Sequence, residues 1–209
     1  MKNTAQEEDK KCRGRPCSYN REELVEQVMG LFWDQGFASL SLNEIAQKTG
    51  LTRASLYNAF GNKETLFLEA YKYYLEQSPY KRLGDYKDGD LVGPLLYSVA
   101  NDICSHFAND EKKRGCLTIN VLSELPDPNC TLGQKITDAY NEKQKIFEHL
   151  IISAIKNGEL PKNTNPEITA NTIMVFMSGF GIFAKNISDE QTLKDIYHNF
   201  LASLGFKPR

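Results

Sequence analysis

Ser41-Leu-Asn-Glu-Ile-Ala-Gln-Lys-Thr-Gly50-Leu-Thr-Arg-Ala-Ser-Leu-Tyr-Asn-Ala-Phe60 is the stretch whose reading decides the fold. Ser41 followed by Glu44 is a capping box, so a helix starts sharply there with Leu42, Ile45 and Ala46 facing inward. Gly50 stops it, because a tight turn needs the left-handed backbone that glycine adopts without strain. Only Leu51 and Thr52 separate that stop from a second helical run beginning at Arg53. Thr52 can cap this run, and Leu56 and Phe60 then pack inward. Leu51 plugs the angle between the helices, while Ala46 is small enough for close approach. Two short helices joined this way form a helix-turn-helix, whose second helix can lie in a DNA major groove. A bare Gly-Leu-Thr turn is also compatible with a plain pair of packed helices.

The helical period extends in both directions. Upstream, Leu24, Val28, Leu31 and Phe32 share one face, with Asn20 as cap and Gly36 as terminator. Downstream, Gly61 ends the third helix and Asn62 caps a fourth, carried by Leu66, Phe67, Ala70 and Tyr74 to about Gln77. A turn-rich linker is expected over Tyr80 to Asp90. Helical patterns then follow over Leu91 to Asn109, Gly115 to Leu125, Leu132 to Asn157, Pro166 to Asn186 and Glu190 to Leu204. Pro126-Asp-Pro128, Gly158 with Pro161, and Ser188-Asp189 mark the breaks. Nothing alternates as strands do, so the expected class is all-α with about nine helices. The expected divisions are a flexible basic arm (1–19), a three-helix helix-turn-helix domain (20–65) and a larger helical domain (66–209).

The bulk composition, 41% hydrophobic and 25% charged with net charge -2, suits a globular protein and neither supports nor excludes DNA. Positive charge is concentrated locally: Lys10, Lys11, Arg13, Arg15 and Arg21 lie together with no acidic residue among them. Arg13 and Arg15 are candidates for the minor groove, where narrow grooves favour arginine; a solvated tail is the alternative. The five cysteines are an odd number with no secretory signal before them, which points to reduced thiols in a cytoplasm. Cys12 and Cys17 lack further ligands for zinc, and neither a metal nor a cofactor is expected. The longest apolar run, Ile173 to Ala184, falls short of the roughly 20 residues a membrane span needs.

The longer string resembles the TetR family of repressors. It comprises Ser39-Leu-Ser-Leu-Asn-Glu-Ile-Ala, Thr49-Gly-Leu-Thr-Arg-Ala-Ser-Leu-Tyr-Asn-Ala-Phe and Gly61-Asn-Lys-Glu-Thr-Leu-Phe. Phe32-Trp-Asp-Gln-Gly-Phe matches the family's first helix and its ending. The resemblance covers residues 20 to about 75 through motifs, and the remainder through length and helical pattern. It implies a sequence-specific DNA-binding transcriptional regulator, a repressor in most relatives, that binds a palindromic operator as a homodimer. By position, Arg53, Ala54 and Ser55 should face base edges, with Asn58 one turn on; Arg53 could hold a guanine bidentately. Thr52, Tyr57 and Lys63 should hold phosphates, and Ser41 could do so as well as cap. Many relatives carry Gly or His where this chain has Ala54 and Asn58, so the base sequence read stays open. Asn58 also has a plainer reading as a solvated helix position.

In this family the remaining helices enclose an effector pocket, and the last two pair with a second subunit. Met174, Val175, Met177, Phe180 and Phe183, with Gly179 and Gly181, make a helix too apolar all round for a monomer surface. Leu193, Ile196, Tyr197, Phe200 and Leu204 stripe its partner. Cys116 is the effector or redox candidate. It falls at the start of the sixth helix, where the dipole and Lys112, Lys113 and Arg114 would favour thiolate. Gly-Cys-Leu there also resembles a subset of the family, some of which sense oxidants or electrophiles. Lys185 is a second cation that could reach the pocket. A buried, inert cysteine is the alternative. Tyr97, Phe107, Tyr140 and Phe147 either line a cavity or form plain core. Gly179-Phe-Gly-Ile-Phe-Ala has a dinucleotide-binding spacing but follows no strand, so it is set aside. His106, His149 and His198 lie far apart and no hydrolase or phosphate-loop motif occurs, which argues against an enzyme. The remaining rivals are a helix-turn-helix protein that only pairs with other proteins and an architectural DNA binder without sequence preference.

Overall fold

Glycines and polar caps cut the described chain, residues 19–125, 127 and 130–208 of a computed structural model, into nine α-helices. They are α1 (Arg21–Gln35), α2 (Leu42–Thr49), α3 (Arg53–Phe60), α4 (Lys63–Gln77), α5 (Val92–Asn109), α6 (Leu117–Glu124), α7 (Thr131–Lys156), α8 (Pro166–Phe183) and α9 (Glu190–Ser203). No strand occurs among the described residues. Each early boundary has a local cause. Asn20 accepts the Glu22 N–H, Ser41 and Glu44 form the reciprocal capping box, and Asn62 caps α4 with Thr65 in reciprocation. Gly50 ends α2 in the left-handed region (φ 71°, ψ 12°), as the turn demands.

Two apolar clusters hold the helices. One lies under α1 to α4, built on Val28, Phe32, Ile45, Leu56, Leu66 and Phe67, and it also takes Leu117 and Val121 of α6 with Leu132 and Ile136 of α7. Phe32 and Phe67 meet edge to face at 5.0 Å. Emptying such a site by Phe32→Ala costs roughly 3–5 kcal/mol. The second cluster is formed by α5, the later turns of α7, α8 and α9, with Phe176 stacked on Phe200 at 3.7 Å. The linker expected over 80–90 differs from the structure. Pro79–Asp85 is a 3₁₀ helix whose Leu83 is buried, started by the Ser78 hydroxyl accepting the Tyr80 N–H and tied to α5 by an Arg82–Asp102 ion pair. Leu83 supplies the apolar anchor that a free turn would lack.

The run Pro166–Asn186 is longer than the apolar core counted from sequence. At 21 residues and mean hydropathy 1.3, it is long and apolar enough to cross a membrane by length and composition alone. In the fold its Ala170, Ile173, Met174, Met177, Phe180 and Gly181 are buried against the rest of the chain. Its opposite face exposes Ile168, Val175, Ile182 and Phe183, with Val175 at 72%. These positions recur at helical spacing and form one apolar stripe.

Candidate functional site

The recognition helix α3 presents a polar face because its two bulky apolar residues point the other way. Leu56 and Phe60 are buried, whereas Thr52, Arg53, Ala54, Tyr57 and Asn58 are exposed and Ser55 is half-buried. Thr52 accepts the Ser55 N–H at 3.1 Å, and the two hydroxyls lie 2.9 Å apart. Arg53 has no ion pair among the described residues, so its guanidinium faces solvent without an internal partner. Tyr57 stands 61% exposed. Such exposure of an aromatic on a short helix fits a surface that packs against something outside the chain. Arg13 and Arg15 lie outside the described residues.

Ser41 and Lys63 are more constrained than the sequence indicates. The Ser41 hydroxyl accepts the Glu44 N–H, and Glu44 accepts the Ser41 N–H at 2.7 Å. Those bonds hold the Glu44 carboxyl below the usual range. Lys63 donates to the carbonyls of Phe37 (2.8 Å) and Leu40 (2.7 Å), with its ammonium 4.3 Å from the Phe37 ring centroid. Two of its three donors therefore clamp the α1–α2 loop rather than reaching outward. The same loop is held from above: Glu124 of α6 accepts the Ala38 N–H at 3.0 Å. Gly36 makes this possible. Its backbone (φ 84°, ψ 159°) suits glycine alone, and an added Cβ would meet the Glu124 carboxylate at 2.5 Å.

Arg21 is a contact that the pattern of the sequence did not single out as structural. It forks onto Glu69 of α4 at 2.9 and 2.7 Å, donates to the Ala59 carbonyl at 3.3 Å, and lies over Phe60. One side chain thus joins the start of α1, the end of α3 and α4.

Behind this head lies a cavity of about 230 Å³ between α1, α4, α5, α6, α7 and α8. Trp33, Tyr74, Tyr80, Phe107 and Tyr140 supply aromatic wall, and Cys116 and Lys143 face the same space. Of the aromatics expected there, Phe107 and Tyr140 line it, whereas Tyr97 bonds the Phe206 carbonyl and Phe147 is packed in the core. Tyr140 shares a hydrogen bond with Ser178 at 3.0 Å. Trp33 donates its indole N–H to Gly115 at 3.1 Å, and His106 stacks on it at 5.7 Å. Burial at this rim holds the His106 imidazole below its usual value, and burial pushes the Tyr74 phenol well above its own.

Cys116 is the N-cap residue of α6, one position ahead of the expected first turn, and no side-chain capping bond forms there. Its sulfur accepts from the Tyr74 hydroxyl at 3.7 Å. The neighbouring cations do not turn toward it. Arg114 pairs with Asp110 and Asp34, Lys112 pairs with Asp34, and Lys113 donates to the Ala108 carbonyl. Carboxylates at the ends of α1 and α5 hold Arg114 and Lys112, and a backbone carbonyl holds Lys113. Lys185 is likewise corrected: it is exposed, bonds Asn120 at 3.1 Å, and covers Gly115 from outside the cavity. The cation in the wall is Lys143, whose ammonium sits 4.2 Å from the Tyr80 ring centroid. The sequence carried its signal, since Ile136, Tyr140, Lys143, Phe147 and Leu150 share one helical face, and a lysine interrupts that apolar stripe.

Residues 21–70 match the bacterial regulatory proteins of the tetR family, and residues 94–200 match the tetracyclin repressor-like C-terminal domain. The HTH-type transcriptional repressor ComR of Escherichia coli K12 is 23% identical over 188 residues, 90% of each chain. The regulator TtgR of Pseudomonas putida is 24% identical, over 76% of this chain and 77% of its own. Among solved structures, a cysteine mutant of CifR complexed with 26-base-pair operator DNA gives a TM-score of 0.80 at 24% identity, covering 91% of this chain and 100% of that one. FadR from Bacillus subtilis, in complex with stearoyl-CoA, gives 0.71 at 19% identity, covering 88% of this chain and 98% of that one.

Proposed function

Since the chain belongs to the TetR family of bacterial DNA-binding transcriptional regulators, we propose that it represses transcription from a palindromic operator and is released by a ligand entering the cavity behind its first helix. The observation that carries this reading is the paired placement of two surfaces on α1. Its Trp33 end forms cavity wall, and its Arg21 end holds the recognition helix. Arg53, Ala54, Ser55 and Asn58 are the proposed base-edge contacts, with Thr52, Tyr57, Ser41 and the remaining Lys63 donor toward phosphates. The exposed apolar stripe of α8 supports a homodimer, which would set two recognition helices about one DNA turn apart. No catalytic role is proposed. The domain division at 65/66 is kept as a functional boundary, head before and sensor after.

Cys116 faces the cavity and is proposed as the point where a reactive effector would act. Gel shift of the upstream DNA at two salt concentrations, with footprinting, tests the main reading. A discrete protected palindrome supports it, and uniform or absent protection across all DNA tried refutes it. For Cys116, alkylation by iodoacetamide no faster than a model thiol sinks the reactive-effector part.

A further inference from the structure

The sensor reading leaves the ligand's chemistry open, and the cavity itself narrows it. Its aromatic wall would suit either a flat neutral ring or an organic cation. Lys143 decides between them. The ammonium lies against Tyr80, on the apolar stripe of α7, and forms no ion pair among the described residues. The nearest acidic residue in sequence, Glu142, is on the outer face and pairs with Lys145 at 2.7 Å. Glu26 also lines the cavity, from an exposed position on α1, and forms no ion pair with Lys143. Burial holds the ammonium below its usual pKa, with the Cys116 sulfur on the same cavity wall. A half-buried cation facing a cavity with no ion pair among the described residues is the arrangement that an incoming anion completes.

Resting on the sensor reading above, we propose that the cavity takes a small aromatic carboxylate, its anionic end on Lys143 and its ring among Trp33, Tyr74 and Phe107. The Tyr140 and Ser178 hydroxyls lie in the same wall and supply further polar contacts. A second cation would meet Lys143 where the dielectric is low, and the one cation–π position over Tyr80 is already filled. A neutral ring would leave the ammonium donors unsatisfied. The cavity volume of about 230 Å³ is below the roughly 300–1,000 Å³ common for small-molecule sites, which limits the ligand to one or two rings.

The test uses three probes of similar size: 4-ethylbenzoate, 4-ethylbenzyl alcohol and 4-ethylbenzylammonium. Each is titrated into the full-length protein by calorimetry, with Trp33, the sole tryptophan, as a fluorescence reporter in the wall. The benzoate is expected to bind about tenfold to hundredfold more tightly than the alcohol, the ratio that charge-assisted hydrogen bonds give, and the ammonium not to bind. K143M should abolish that ratio while K143R keeps part of it, with thermal melts confirming that both fold. Equal binding of benzoate and alcohol, preferred binding of the ammonium, or an unchanged ratio in K143M overturns the proposal. Benzoate binding that fails to release operator DNA upholds the ligand class and refutes the sensor reading instead.

Discussion

Replacing Glu124 with alanine tests whether α6 sets the pose of the DNA-reading head. The carboxylate is half-buried, rests on Gly36, and accepts the Ala38 N–H at 3.0 Å. It also faces Lys63, whose ammonium holds the Phe37 and Leu40 carbonyls and is partly desolvated there. A hydrogen bond to a charged acceptor contributes about 1.5–3 kcal/mol when shielded from water. Ala38 is exposed, so water takes over its freed N–H, and the loss shrinks to about 1 kcal/mol. For a chain of this length that lowers Tm by about 2–4 °C. If the same bond biases the head toward its binding pose, operator affinity without ligand falls by up to about fivefold, the equivalent of 1 kcal/mol. E124Q, which keeps an acceptor but not the charge, should lie between. Calorimetric melts and fluorescence-anisotropy titrations on the identified operator read both quantities. Wild-type Tm together with wild-type affinity in E124A would refute the coupling of α6 to the head.

Three further outcomes follow from other parts of the molecule. Arg53→Ala should lose about 1–3 kcal/mol of operator affinity per half-site and relax preference at one base pair; a uniform loss across sequences would move Arg53 from base to phosphate. Val175→Asp, in the middle of the exposed α8 stripe, should convert the sedimenting species from two chains to one, and an intact dimer would place the interface elsewhere. The His106 imidazole has its folded pKa depressed by burial, so the unfolded chain binds more protons as pH falls through its ordinary value of 6.5. Stability is then full above that value and declines as pH falls through it, ahead of the depressed carboxyls Glu44, Asp110, Asp189 and Glu190, which act at lower pH. His106→Gln should flatten the decline in Tm that begins as pH falls through 6.5; an unchanged slope would assign it to other groups such as His198.

The helices were legible because their punctuation is local. Asn20, the Ser41–Glu44 box, Gly50, Thr52 and Asn62 act on groups within four residues, and all of them cap or stop helices where the pattern placed them. Partners distant in the chain were less legible. Nothing near residues 112–114 tells that Asp34, 78 positions before Lys112, claims Lys112 and Arg114, or that Lys63 turns inward to carbonyls more than 20 positions away. Lys185 and Lys143 show the same limit in opposite senses. A lysine following an apolar helix looked as though it faced the pocket and lies outside, while one set within an amphipathic stripe faces inward. Periodicity finds the face a residue occupies, and only packing shows whether that face encloses space or core.

Helix α1 has a mechanical consequence. Trp33 and Arg21 stand twelve positions apart on one continuous helix, a separation of roughly 18 Å at 1.5 Å per residue. Pivoted at the cavity wall, a tilt of only about 5° carries the far end through about 1.5 Å, and Arg21 transmits that travel to the Ala59 carbonyl and the Phe60 ring. If a ligand tilts α1 as the proposed function requires, this lever would turn a small rotation at the cavity wall into a shift of the recognition helix.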